Sequence, residues 1–523
     1  MSASTDYTPL GWQVEIPSLV AKSAGTNLLT LDAKAGRLAG KEQPLKATGK
    51  LSANLAGLLA QPAAQGVLAL TGGNATVDFV ANLDATKEIQ AKVKLSDLVA
   101  DPKSPPGSLP EILVDLRADL GAGGALALNL PIVLKRNGRQ SDLLVIGTVL
   151  TTKEGRAIDV QVASAQLFVE DAKALSAVLP GASEERPGGA PVGPASRDKT
   201  PPWAGLSGSI GLHMKKVVYS DAFEAADVAG TLRVDAGVLA LERFQAGLGE
   251  NGNAKLDGKV TFESAGVQPY ALSADLVLTE FDPAPLFRAL NSAQPATVEG
   301  KFYVSSRVAS RAATMAELAH GTHGDFQLTS KSGVFRGLPV NVASKVEAGG
   351  KLASGVAFLG NLASAVTGKK EYADIASKAQ AVTEVSRIWQ AVTYDQISVV
   401  LSRDASLNTT VKDFTLISPE MRLTGGGEAK HTAGVGLLDE TLVMEFQLRA
   451  RGRHGELLKY LGALELQADE LGYSLCTLPL KVRGTLSKPD TSELSSKLGS
   501  LALEKSGVSE KALDLFNRLR GGK

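Results

Sequence analysis

Between Trp203 and Pro339 the chain repeats one pattern: short runs of alternating apolar and polar residues, separated by Gly, Asn or Asp. Gly230-Thr231-Leu232-Arg233-Val234-Asp235 leads through Ala236-Gly237 into Val238-Leu239-Ala240-Leu241-Glu242-Arg243-Phe244. Ala254 to Phe262 and Tyr270 to Leu278 follow the same rule. A period of two gives strands with one dry and one wet face. The breaks Asp235-Ala236-Gly237 and Asn251-Gly252-Asn253 supply residues that tolerate the positive φ of hairpin turns. An antiparallel meander is therefore expected, and the chemistry of its apolar face becomes the main question.

The rest of the chain divides around this stretch. Residues 1–180 read as β-rich, with strands at Val67-Leu70, Ala75-Val80, Ile89-Leu95, Ile112-Asp119, Ala125-Leu134, Asp142-Thr151 and Ile158-Val169. Gly121 to Gly124, Asn137-Gly138 and Glu154-Gly155 mark turns between them. Several strands are expected to run into short helices near an acidic residue, at Asp97, Asp171 and Asp282. Asp282 is suited to cap a helix, with Pro283 as its first residue. The same passage recurs without the acid between Phe446 and Leu461. Residues 181–202, dense in Pro, Gly and charge, read as a linker or loop. Residues 203–490 form a second β segment carrying a helical insertion at 342–392. There Val342 to Val366, and then Ile375, Val382, Val385, Ile388, Trp389 and Val392, follow helical spacing and predict a hairpin of helices. Strands resume from Tyr394, and residues 491–523 predict an amphipathic C-terminal helix. The expected class is mainly β with helical insertions.

Composition removes several functions. At 523 residues the chain exceeds one ordinary core. Its 55 basic and 55 acidic residues balance, which argues against a nucleic-acid partner. A single cysteine, Cys476, allows no internal disulfide and no cysteine-based metal site. No run is long and apolar enough for a membrane-spanning helix, and Met1 to Pro9 lacks the features of a signal peptide.

Motifs that could carry chemistry fare poorly. Gly247-Leu-Gly249-Glu-Asn-Gly252 has dinucleotide-fingerprint spacing, but a strand follows it where the pyrophosphate would need a helix. It predicts a hairpin instead. His320 and His323 lack the further ligands of a zinc site. Cys476 sits in a strand-like run as a buried thiol. No catalytic residue, metal ligand or cofactor is expected, and an enzyme is the least favoured reading. The basic groups Arg449, Arg451 and Arg453, with Lys215 and Lys216, read as solvated faces, with anionic lipid headgroups as the functional alternative.

Several segments resemble the C-terminal region of the bacterial AsmA family. They are Leu206 to Tyr219, Val228 to Leu239, Phe281 to Phe287, Gly321 to Leu328 with Gly333 to Gly337, Phe414 to Pro419 with Gly425 to Gly427, and Leu480 to Pro489. The resemblance covers Trp203 to Pro489; residues 1–180 are similar only in texture. It implies a periplasmic envelope protein, held by an N-terminal inner-membrane helix that this chain lacks. It further implies an elongated, strongly curved β-groove, a half-barrel that carries phospholipids between membranes, and no catalytic residues.

Elementary physics agrees with that implication. A curved sheet with one apolar face makes a trough, and burying an acyl chain gains roughly 0.8 kcal/mol per CH₂. The expected lipid-binding lining is Leu232, Val234, Leu239, Leu241, Leu256, Val260, Phe262, Leu272, Leu276, Leu278, Phe302 and Val304, with ordinary sandwich core as the alternative. Partners would be phospholipids, a membrane surface and envelope assembly proteins. The rival function is an assembly scaffold without lipid transport. An outer-membrane barrel is disfavoured, because aromatics make up only 5% of the chain and the sequence ends in a predicted helix.

Overall fold

Alternation over 9 to 15 residues recurs through the chain, and the computed structural model turns it into an open β-sheet with helices attached. The structure describes residues 2–8, 11–23, 25–38, 45–61, 70–84, 87–100, 109–121, 123–178, 197–290, 295–336, 370–436, 439–485, 488–494 and 497. The expected strand residues Val67 to Ala69, the first helix of the predicted hairpin (342–366) and nearly all of the C-terminal segment 491–523 lie outside them. Two compact units are distinguished. One holds residues 1–276 and 309–321, the other 277–308 and 322–523.

The first unit opens with β1 (Ser2–Thr8), β2 (Gly11–Ser23), β3 (Thr26–Leu38) and β4 (Lys46–Asn54), followed by the short helix α1 (Leu55–Leu59). Asn54 caps α1 by accepting the Gly57 backbone N–H at 2.9 Å. Next come β5 (Gly72–Leu83), β6 (Lys87–Val99), β7 (Glu111–Leu120), β8 (Ala125–Arg136), β9 (Arg139–Thr151), β10 (Arg156–Ser164), β11 (Leu167–Phe168) and α2 (Val169–Val178). Strands β1 to β10 pair in sequence order, each antiparallel to the next. After them come β12 (Leu206–Ser220), β13 (Phe223–Asp235), β14 (Val238–Leu248) and β15 (Gly252–Phe262), again antiparallel neighbours.

The join between these two runs differs. β10 and β12 pair in parallel, from Arg156 opposite Leu206 to Ser164 opposite Met214. Parallel neighbours need a crossover rather than a hairpin. The Pro- and Gly-rich stretch 181–202 lies within that crossover, so the segments before and after it share one sheet. Its last residues are anchored: Asp198 accepts a hydrogen bond from the Tyr270 hydroxyl at 2.8 Å.

The wet face of this unit has its own order. Asp32, Lys50, Asp78, Lys92 and Asp115 stand opposite one another in turn on β3 to β7, alternating in sign at every step. Cross-strand pairs of opposite charge favour this pairing over its alternatives.

Three of the bulges that interrupt the alternation fall at a charged residue with positive φ: Asp97 (54°), Asp227 (47°) and Arg243 (55°). Asp97, expected to open a helix, instead lies within β6 and accepts hydrogen bonds from Asn74 and Ser96, both at 3.2 Å. The extra residue turns Leu98 inward, where it is fully buried. The helices expected near Asp171 and Asp282 do form: Asp171 lies in the first turn of α2, and Asp282 accepts the Ala284 N–H at 2.9 Å.

Strands β16 (Tyr270–Phe281) and β17 (Val298–Ala312) each have residues in both units, with α3 (Ala284–Leu290) between them and a 3-10 turn at Ala316–Leu318 after β17. The second unit continues with β18 (His323–Phe335), α4 (Lys370–Gln390), β19 (Val392–Tyr394), β20 (Gln396–Arg403), β21 (Thr409–Ile417), β22 (Met421–Lys430) and β23 (Thr441–Ala450). It closes with α5 (Gly452–Tyr460), β24 (Leu464–Ala468), β25 (Ser474–Cys476), β26 (Leu480–Gly484) and β27 (Pro489–Asp490). Strands β18, β20, β21, β22 and β23 form an antiparallel ladder in that order. Its apolar face is filled: Val385 and Trp389 of α4 and Leu458 of α5 are buried against Tyr394, Leu416, Leu423 and Leu448. The predicted strand-into-helix passage at Phe446 to Leu461 is β23 followed by α5.

Candidate functional site

The register of the first unit assembles its apolar positions into continuous rows. Leu19, Leu31, Leu51, Val77, Val93, Val114, Ile132 and Leu143 stand opposite one another in succession across β2 to β9. All eight are half-buried. A second row runs Leu128, Gly147, Val160, Ile210, Leu232 and Leu241 across β8, β9, β10, β12, β13 and β14. On β8 the inward positions Leu126, Leu128, Leu130, Ile132 and Leu134 are apolar and large, and Arg136 ends the series. A mostly apolar inward face therefore extends from β2 to β15, with Gly147 in its second row and Lys87 at one edge. The parallel β10–β12 join preserves it, because Val162 pairs with Leu212 and Val160 with Ile210.

Two clusters roof parts of this face. At one end of the strands, Leu55, Leu58 and Leu59 of α1 and Leu175 of α2 pack with Leu95, Ile112 and Leu134. α2 is fixed there by Asp171, which accepts the Ser141 hydroxyl proton at 2.6 Å, while Phe168 N donates to the same hydroxyl at 3.0 Å. Arg139 pairs with Glu170 and lies 4.7 Å above the Phe168 ring. At the other end, over β10 to β15, Trp203, Met315 and Leu318 pack on Ile158, Val234, Leu239, Val260 and Tyr270. The Tyr270 ring is 6.1 Å from Trp203 and 4.9 Å from Phe262. Burial, with the Asp198 carboxylate at its hydroxyl, pushes the Tyr270 phenol well above its ordinary range.

The twelve residues expected to line a groove fall into three groups. Val234, Leu239, Val260, Phe262 and Leu272 lie in or against the cluster under Trp203. Phe302 lies in the filled core of the second unit and Val304 packs against it. Leu232, Leu241, Leu256, Leu276 and Leu278 are half-buried and belong to none of the three described cores.

Sequence reasoning missed the rows on β2 to β9. The run Ala125-Leu-Ala-Leu-Asn-Leu-Pro-Ile-Val-Leu134 carries the signal in its strict alternation, but which residues stand opposite is a matter of register. Phe244 was missed for a different reason. The Arg243 bulge, whose N–H reaches Asp257 Oδ1 at 2.8 Å, shifts the inward set of β14 from odd to even positions. The Phe244 ring then lies against Gly230.

The basic groups are largely committed to internal partners. Lys216 pairs with Glu224 at 2.6 Å, Arg449 with Asp469 at 3.8 Å, and Arg453 with Glu384. Arg451 donates to the carbonyl oxygens of Pro419 and Leu471, both at 2.8 Å, and lies over the Tyr473 ring. The headgroup alternative at these arginines has little support from their geometry.

Candidate chemistry elsewhere resolves into structure. Gly249 to Asn251 form the turn of the β14–β15 hairpin. His320 sits in a turn and His323 opens β18; among the described residues no three His, Cys, Asp or Glu side chains cluster as metal donors. Burial pushes the Cys476 thiol up to about 11, far from the range of a reactive thiolate. A depression of about 350 Å³ at the ends of β3 to β5 has a mixed lining, with Leu28, Leu29, Ala53 and Ala75 beside Asn27, Thr30, Asn54 and Asn74. No described helix is long and apolar enough to cross a membrane.

Comparison of the chain with protein-family models, with curated proteins and with solved structures returns no match.

Proposed function

We propose that this chain is a non-enzymatic lipid carrier of the bacterial envelope. Its first unit holds phospholipid acyl chains against the apolar rows and contributes to lipid transport between the inner and outer membranes. The observation that carries the reading is the uninterrupted row from Leu19 to Leu143, half-buried at every step. Val114 and Ile132 of that row pack against the cluster under α1 and α2, while Leu19, Leu31, Leu51, Val77, Val93 and Leu143 belong to no described core cluster and are half-buried all the same. A sheet curled towards its apolar side, the curved half-barrel groove expected from the family resemblance, accounts for both facts.

The dimensions suit the guest. Eight strands at about 4.8 Å spacing extend the face roughly 34 Å, about twice the ~15 Å depth of one bilayer leaflet's hydrocarbon. Transfer of each CH₂ into such a trough gains roughly 0.8 kcal/mol, so one acyl chain offsets the loss of its bilayer contacts. A wet face of alternating charges keeps the protein soluble on the other side. The periplasm is the compartment that fits the resemblance.

The test is native mass spectrometry with lipid extraction on the purified full chain. Copurifying phospholipid is expected, lost in the double variant Leu128→Glu with Leu130→Glu and retained in Asn129→Glu, which changes the neighbouring outward position. Absence of bound lipid from the parent protein refutes the carrier. The filled core of the second unit favours a framework role for that part, and a lipid-free chain that still captures outer-membrane assembly proteins would extend that role to the whole.

A further inference from the structure

The two ends of strands β5 to β8 are not equivalent. At one end the apolar rows run under α1 and α2, where Leu95, Ile112 and Leu134 are roofed by Leu55, Leu58 and Leu175. At the other end Leu83 is 42% exposed and Ile89 is also 42% exposed, although both occupy inward positions of the ladder. Leu120 and Leu126 continue this rim on β7 and β8. Apolar side chains left open to water along one edge of a half-shielded face form a doorway rather than a wall.

A cation stands in that doorway. Lys87 pairs with Leu83 on one side and Leu120 on the other, so it occupies an inward position in an otherwise apolar row. It is exposed and makes no ion pair among the described residues. The carboxylates nearest along the chain are both engaged elsewhere: Glu88, at the neighbouring outward position, accepts from Asn82 and Gln90, and Asp84 is held by Arg37 and by the Leu45 N–H at 2.7 Å. An ammonium at the mouth of an apolar face, with its local acids taken, complements a phosphate attached to acyl chains.

We infer that the rim formed by Leu83, Lys87, Ile89 and Leu120 is the lateral entrance for lipid, and that Lys87 receives the phosphate of an anionic phospholipid headgroup. This rests on the carrier reading and adds to it a side of entry and a headgroup preference. The acyl chains slide inward towards α1 and α2, while the headgroup stays in water at the Lys87 rim.

The experiment uses the full chain with a benzophenone amino acid at Leu83 or at Ala56, an exposed residue of the roofing helix α1. Each protein is irradiated with vesicles containing phosphatidylglycerol tagged on its headgroup or on its acyl terminus. Headgroup tag is expected at position 83 and not at position 56. In parallel, Lys87→Glu should lower uptake from phosphatidylglycerol vesicles about fivefold and leave uptake from phosphatidylcholine vesicles unchanged. Headgroup tag captured at position 56 but not 83 overturns the entrance while leaving the carrier intact. Equal effects of Lys87→Glu on both vesicle types, or no effect on either, overturn the role of Lys87. If neither tag is captured at either position and no lipid copurifies, the carrier itself fails.

Discussion

Ser141 donates its hydroxyl proton to Asp171 across 2.6 Å, and neither side chain reaches solvent. The pair ties α2 to the start of β9, and with it the roof over Leu134. Replacing Asp171 by Ala strands the Ser141 hydroxyl and removes a charge partner of Arg139, at a cost of about 1–3 kcal/mol. Hydrogen exchange of the α2 amides should accelerate accordingly, while Asp171→Asn, which keeps an acceptor, should lose less. Unchanged α2 protection in Asp171→Ala would remove the latch from the account.

Gly208 sets a second expectation. Its φ is 125°, and a Cβ there would collide with the carbonyl oxygen of Ile158, its parallel partner on β10. Gly208→Ala must therefore strain the backbone or part the strands, costing about 1–3 kcal/mol. Loss of exchange protection should centre on Val160, Val162 and Ile210. Gly436→Ala, an exposed position where a Cβ meets open space, serves as the neutral control. Equal protection in the two variants would show that close β10–β12 contact at this point does not matter.

Glu420 predicts a pH dependence. Burial opposes its ionisation and is the largest single influence. The opposing hydrogen bonds from the His454 ring and backbone, with the charge of that ring, together hold the carboxyl below its ordinary value. The His454 Nδ1 contact is 2.8 Å. A lowered folded-state value means the stabilisation is complete above the unfolded carboxylate range, about 4.3. It is lost as pH falls through the lower folded value. The docking of α5 should loosen in acid, and Glu420→Gln should flatten that dependence in acid titrations followed by exchange of the α5 amides. An identical acid profile for Glu420→Gln would exclude this residue as its source.

How much of this was legible in the sequence depends on the scale of the feature. Alternation from Thr231 to Leu278 and from Ala125 to Leu134 reveals strands, because a period of two has few other readings. It cannot reveal that Val77 faces Val93, since pairing is a long-range choice between many similar strands. Bulges defeat it locally. Asp97 follows Ser96 and precedes Leu98, which reads as a helix cap, yet cross-strand contact with Asn74 stabilises a left-handed residue inside a strand. Arg243 hides Phe244 in the same way. Phe302 and Val304 alternate as cleanly as Leu232 and Val234, and only the helix bearing Trp389 decides that their face is filled. Helix α4 itself was legible from the spacing of Val382, Val385 and Trp389.

The sign-alternating line from Asp32 to Asp115 bears on how so repetitive a molecule assembles. Strands of similar length and similar oily pattern could exchange places with little penalty on their greasy side. Exchange β4 for its neighbour, however, and Asp32 would meet Asp78, a repulsion repeated wherever the sequence of partners is shuffled. Polar residues on the outward face thus act as an address code, telling each strand which neighbour it belongs beside while the chain is still searching.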